Sequence, residues 1–193
     1  MQVILIRHGE TIWSGERRYQ GIPDVPLSKA GRERLKAAGF KPARVYVTNL
    51  VRTRETAEIL FPDVPQVIVP GLSEMNFGIF EGKNFGELRE NPDYQAWVES
   101  GCLAACPGGE SKETFSERVI KAFEDLMETG GDETVIVAHG GTLMAVLERF
   151  GRPRRGYFDW HAECGCGYLL DGGEWKRNNT LKLVKALDFR GDS

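Results

Sequence analysis

Two of the chain's three histidines end an apolar run and precede a glycine. Val3-Ile4-Leu5-Ile6 leads into Arg7-His8-Gly9-Glu10-Thr11, and Val135-Ile136-Val137-Ala138 leads into His139-Gly140-Gly141. Short β-branched runs closed by glycine read as buried strands that stop at a turn. In open α/β sheets ligands sit outside the carboxyl ends of the strands, so both imidazoles are expected at that edge. A neutral imidazole can attack phosphorus and split one hard displacement into two easier ones. The oxygens of the transferred group then need cations around them, and Arg7 is the first candidate.

Arg52 is a second. In Thr48-Asn49-Leu50-Val51-Arg52-Thr53-Arg54-Glu55-Thr56-Ala57 it lies at a strand-to-helix turn, where backbone N–H groups and the helix dipole favour an anion. A guanidinium grips two phosphate oxygens at once, so Arg52 and Arg54 are both candidates. The bland alternative is a solvated first turn with its arginines paired to Glu55 or Glu58. A leaving oxygen also needs a proton. Glu74, in Leu72-Ser73-Glu74-Met75-Asn76-Phe77-Gly78, follows a third apolar run. A partly buried carboxyl there has its pKa raised and can act as the acid; a surface loop glutamate is the competing reading.

These residues need a frame to bring them together. Strands are expected at Val3–Ile6, Val45–Val47, Val67–Val69 and Val135–Ala138, with weaker runs at Gly167–Leu170 and Leu181–Val184. Nearly all-apolar runs imply that helices cover both faces. Ser28 is placed to cap a helix opening at Leu27-Ser28-Lys29-Ala30-Gly31-Arg32. A second helix runs from about Val51 to Leu60 and stops at Phe61-Pro62. A third spans about Lys112 to Thr129, with Phe115, Val119, Phe123 and Leu126 on one face and Gly130-Gly131 at its end. A fourth follows His139, turns Leu143, Val146, Leu147 and Phe150 inward, and ends at Gly151. Alternating strands and helices give an α/β fold in three layers with a mainly parallel sheet. Residues 75–111, rich in glycine and starting a helix at Asn91-Pro92, break the rhythm and read as a small cap over the strand ends.

Bulk properties exclude several functions. The chain has 193 residues, 41% hydrophobic and 27% charged, and a net charge of -3. That size suits one domain, and the charge gives no general attraction for nucleic acid or a membrane surface. No apolar stretch approaches the length of a membrane span, and Met1-Gln2-Val3-Ile4 enters a strand without a basic leader region. The cytoplasm is the default compartment. Cys102, Cys106, Cys164 and Cys166 have spacings unlike zinc sites and are read as free structural thiols.

Taken together, the blocks Arg7-His8-Gly9-Glu10-Thr11, Arg52-Thr53, Glu74 and His139-Gly140-Gly141 resemble the histidine phosphatase, or phosphoglycerate mutase-like, superfamily over roughly residues 1–150. The resemblance implies that His8 takes the phosphoryl group, that Arg7, Arg52 and His139 hold its oxygens, and that Glu74 is the acid and then the base. It also places Thr11, Ser14, Gln20, Gly21 and Gly140 against substrate phosphate, and implies neither cofactor nor metal. Arg18-Tyr19-Gln20-Gly21, Pro26-Leu27-Ser28, Met75–Gly82, Asn91–Trp97 and Pro107–Ser111 resemble α-ribazole phosphatases in particular. The expected partner is a small phosphorylated metabolite, with α-ribazole 5′-phosphate as first choice and a homodimer left open. The rivals are a broad-specificity or sugar-phosphate phosphatase, a phosphoglycerate mutase, and a non-catalytic phosphate-binding relative. Ser14 and Met144 depart from the family pattern, which often has asparagine and arginine there. His161 and the aromatic group Tyr157, Phe158 and Trp160 lie outside every motif and read as packing, whereas Trp13 and Tyr19 are placed to touch an organic leaving group.

Overall fold

The computed structural model describes residues 1–129 and 131–191. In chain order the elements are β1 (Gln2–Arg7), α1 (Ile12–Gly15), α2 (Lys29–Arg34), β2 (Val45–Val47), α3 (Val51–Leu60), β3 (Gln66–Ile68), α4 (Phe85–Leu88), α5 (Pro92–Glu99), α6 (Lys112–Thr129), β4 (Glu133–Ala138), α7 (Gly140–Phe150), β5 (Gly151–Arg152), β6 (Cys166–Asp171), α8 (Trp175–Asn178) and β7 (Leu181–Asp188). Single 3-10 turns stand at Pro70–Leu72, Gly78–Phe80 and Tyr157–Trp160. No helix among the described residues is long and apolar enough to cross a membrane.

The strands form one sheet of order β3-β2-β4-β1-β6-β7-β5. The pairs β2–β3, β2–β4 and β1–β4 are parallel, whereas β6 runs antiparallel to both β1 and β7. Alternate residues of the central strands serve two cores. Val3, Leu5, Ile136 and Ala138 pack with Phe115, Val119 and Phe123 of α6 and Leu143, Val146 and Leu147 of α7. Ile4, Ile6, Val45, Val47, Val135 and Val137 pack with Ala57 and Leu60 of α3 and with Leu27 and Leu35 around α2. This period of two, buried on both faces, makes the all-apolar strands necessary. Truncating a core aromatic such as Phe123, which has no exposed surface, costs about 3–5 kcal/mol.

The helix ends follow local chemistry. Ser28 caps α2 by accepting from Gly31 N, and Asn91 caps α5 with Pro92 in the first turn. Gly151 closes α7. Gly130, expected with Gly131 at the end of α6, lies outside the described residues. β3 departs from expectation: it begins one residue earlier, at Gln66, and Val67 and Ile68 are 37% and 52% exposed. It is an edge strand, paired on one side only, to β2.

Residues 75–111 are fastened to the core. Phe80, Tyr94 and Trp97 are buried in the same cluster as α6 and α7, and Tyr19 packs tilted or edge-on against Phe77, Tyr94 and Trp97 at ring separations of 5.1–5.9 Å. Glu81 accepts from Gly21 N, Ile22 N and Phe77 N, tying the loop after α1 to this segment. These contacts make the segment a packed wall beside the strand ends.

Candidate active site

Strand register creates the centre of the site. Arg7 is directly opposite Ala138 in the β1–β4 ladder, so the next residue on each strand, His8 and His139, emerges side by side. His8 N donates to Ala138 O at 2.9 Å, and the two imidazole centroids are 5.3 Å apart. His8 Nδ1 lies 2.7 Å from Gly9 O. A carbonyl only accepts, so Nδ1 carries the proton and Nε2 keeps a free lone pair. Burial, reinforced by the Arg52 and Arg7 charges, holds His8 well below the usual imidazole pKa despite the opposing bond to Gly9. The ring is therefore neutral near pH 7, as a nucleophile must be.

His139 is fixed from both ends. Arg52 Nε donates to its Nδ1 at 3.3 Å, which leaves the proton on Nε2 to be donated to Thr48 Oγ1 at 3.0 Å. Burial first, then the Arg52 charge, keeps this ring neutral as well. Arg52 is fully buried. Its Nη1 and Nη2 donate to Pro23 O and Gly21 O at 2.9 and 2.8 Å, leaving one N–H on each of these nitrogens. Burial lowers its pKa to about 10, so it stays cationic at neutral pH.

Glu74 sits on the third side. Its Oε1 accepts from Met75 N and its Oε2 from Gly141 N, each at 2.9 Å. Burial raises its pKa, and the two backbone bonds and the Arg52 charge only partly offset that. The loop beneath it is clamped by Arg118, which donates to the carbonyls of Gly71, Ser73 and Glu74 and pairs with Glu110 at 2.8 Å. Gly141 leaves room for this carboxyl, because a Cβ there would lie 2.2 Å from Glu74 Oε1.

These groups border a cavity of about 660 Å³ lined by Arg7, His8, Glu74, Gly140 and Gly141 at its inner end. Ser14, Gln20, Tyr19, Phe77 and Met144 also line it. Thr11, Gly21, Arg52 and His139 stand behind this wall. Thr11 caps α1, with its hydroxyl donating to Gln20 Oε1 at 2.6 Å, and Gly21 gives its carbonyl to Arg52. Arg54 is exposed and does not line the cavity, which corrects its reading as a substrate contact. The anion at the start of α3 is the protein's own: Asp24 Oδ1 accepts from Val51 N at 2.6 Å. Arg52 pairs with neither Glu55 nor Glu58, and Glu55 instead holds Arg32 at 2.6 Å.

Sequence reasoning missed one wall of the cavity. His161, Glu163, Cys164, Arg34 and Arg190 line it, although none sits in a motif. They arrive from α2, the turn after Trp160 and the end of β7, which only the sheet order brings beside β1. The four cysteines carry free thiols, and the described residues hold no cluster of metal-ligating side chains.

Comparison with known proteins agrees with this geometry. A family model described as histidine phosphatase superfamily (branch 1) matches residues 3–178. An Escherichia coli protein named "Probable phosphoglycerate mutase GpmB" is 33% identical over 153 residues, covering 74% of this chain and 71% of its own. The α-ribazole phosphatase of Shigella flexneri superposes with a TM-score of 0.84 at 27% identity, over 97% of this chain and 96% of that one. TTHB049 of Thermus thermophilus does so with a TM-score of 0.74 at 30% identity, over 100% and 98%. With the paired histidines, the buried arginine and the buried glutamate in place, the chain belongs to the histidine phosphatase superfamily.

Proposed function

We propose that this protein hydrolyses a phosphomonoester through a phosphohistidine at His8, and that α-ribazole 5′-phosphate is the first substrate to try. The observation that carries the reading is the His8 Nδ1 bond to Gly9 O, which leaves Nε2 unprotonated on a cavity shared with Glu74. Nε2 attacks phosphorus, the bond to the ester oxygen breaks, and Glu74 gives that oxygen its proton. The resulting Glu74 carboxylate takes a proton from water, whose oxygen attacks phosphorus. The N–P bond breaks and inorganic phosphate leaves a neutral His8. Arg7 neutralises the oxygens directly, Arg52 adds its buried charge from behind the wall, and His139 holds the Arg52 guanidinium in place.

The outer cavity favours water over a second phosphorylated acceptor. A mutase has to retain a bisphosphate, which requires free cations away from the nucleophile. Here Arg18 is bound to Glu16 and Glu87 at 2.5 and 2.6 Å, Arg190 to Asp188 at 2.7 Å, and Arg34 lies 3.8 Å from Glu10. Of the cavity arginines outside the phosphoryl end, Arg17 alone pairs with no carboxylate among the described residues. Met144 lines the wall where the resemblance expects arginine. Tyr19 and Phe77, 5.1 Å apart, offer aromatic surface suited to a flat, uncharged leaving group.

The test is a phosphate-release screen of α-ribazole 5′-phosphate, 3-phosphoglycerate and common sugar phosphates, with 3-phosphoglycerate repeated in the presence of 2,3-bisphosphoglycerate. The expected result is inorganic phosphate, released fastest from α-ribazole 5′-phosphate. Formation of 2-phosphoglycerate without phosphate release would assign a mutase instead.

A further inference from the structure

The third histidine, which reads as packing in the sequence, stands against the first arginine of the site. His161 Nε2 is 3.1 Å from Arg7 Nη1, and the same Nη1 donates to Ala162 O at 2.8 Å. A guanidinium only donates, so His161 accepts through Nε2 and is neutral, with its proton on Nδ1. Both Nη1 protons are then consumed by consecutive residues of one turn. Among the described residues, the buried Arg7 Nε has no hydrogen-bond partner and Nη2 makes no hydrogen bond. Two of the three unspent donors of Arg7 therefore lie on the Nε–Nη2 edge, the two-pronged edge that suits a phosphate.

The turn that carries His161 is tied down by packing and hydrogen bonds. Trp160 before it is fully buried and packs on Tyr168 at a ring separation of 5.7 Å. The Tyr168 hydroxyl donates to His161 O at 3.0 Å, and His161 N donates to Phe158 O at 3.2 Å. Four residues after His161, Gly165 N reaches Arg7 O and His8 O at 3.1 Å. Backbone and side chain of the Arg7-His8 step are thus held by one segment, while His161 itself remains exposed on the cavity wall. An exposed imidazole contributes little to the core, so its place against Arg7 calls for a reason other than packing.

We infer that His161 is a positioning residue of the phosphoryl site, which fixes the Arg7 guanidinium so that its Nε–Nη2 edge meets the phosphoryl oxygens. This rests on the phosphoryl-binding reading above and adds to it a residue that no motif marks. His161→Leu removes the acceptor and keeps bulk, while His161→Gln restores an acceptor that cannot become charged. Binding of inorganic phosphate by calorimetry gives a readout independent of turnover, with hydrolysis of p-nitrophenyl phosphate measured alongside it. His161→Leu is expected to weaken phosphate binding and lower kcat/KM about tenfold, the size of one charge-assisted hydrogen bond. His161→Gln should recover most of both, and on an Arg7→Ala background His161→Leu should add nothing further. Thermal unfolding of each variant confirms that it is folded. Equal phosphate affinity in wild type and His161→Leu, equal losses in the Leu and Gln variants, or an undiminished loss on the Arg7→Ala background would each overturn the assignment. If the wild type bound phosphate but hydrolysed no ester, the hydrolase reading would fail while the binding measurements still judged His161.

Discussion

The two ends of the cavity are built on different principles. At the inner end each polar side chain is oriented by backbone or by another buried group: His8 by Gly9 O, His139 by Arg52 and Thr48, and Glu74 by two backbone N–H groups. At the outer end the arginines other than Arg17 are held by surface carboxylates. Charges fixed in a dry site act strongly because nothing has to reorganise during reaction, whereas exposed ion pairs contribute little and are easily rearranged. Under the proposed function, the inner end sets the reaction and the outer end tunes which alcohol is accepted.

Substitutions should sort by that division. The largest effect belongs to His8→Ala, which removes the nucleophile and should lower phosphate release from any ester by about a thousandfold or more. Circular dichroism should show the fold retained. Glu74→Gln comes next. It should slow an alkyl phosphate by roughly 10²–10³-fold and p-nitrophenyl phosphate, whose leaving group needs no proton, far less. The pH profile carries the sign of the shift. Burial raises the Glu74 pKa, and the acid form is the competent one, so kcat should fall as pH rises through that raised value. The fall should be absent in Glu74→Gln.

Gly141→Ala probes the same carboxyl without touching its chemistry. A Cβ placed 2.2 Å from Glu74 Oε1 and 3.2 Å from Phe115 has to push the carboxyl aside, with an expected loss of about 10²-fold for alkyl esters. Unchanged alkyl-ester kinetics would show that the position of Glu74 is not critical. The smallest effect is expected at the outer end. Arg17, held at φ 55, is exposed on the cavity wall. Arg17→Gly relieves the backbone and removes the charge, and should raise KM for 3-phosphoglycerate only about threefold, with kcat for p-nitrophenyl phosphate unchanged. A hundredfold loss there would erase the distinction between the two ends.

The same division explains what could be read before the fold was known. Strands β1 and β4, helices α3, α6 and α7, and the set His8, His139, Arg52 and Glu74 were legible because each depends on local signals: an apolar run, a glycine stop, a helical period. Even the caps Ser28 and Asn91 follow from local rules. Arg54 misled because position in a first turn does not say which way a side chain faces. Asp24 was invisible as the α3 anion, since nothing local links a loop carboxylate to a helix 27 residues on. The exposure of β3 depends on its place at the sheet edge, which composition does not encode. His161, Glu163, Cys164 and Arg190 join the cavity only because β6 pairs antiparallel to β1, a long-range pairing without a motif.

The central claim is a covalent bond between phosphorus and His8, and rapid acid-free quenching during turnover of p-nitrophenyl phosphate tests it most directly. Mass spectrometry of the digested protein should then show one phosphoryl group, labile to acid, on the peptide that carries His8, and none in His8→Ala. Steady turnover with no phosphoryl group on that peptide, or with the label on another residue, would contradict the account.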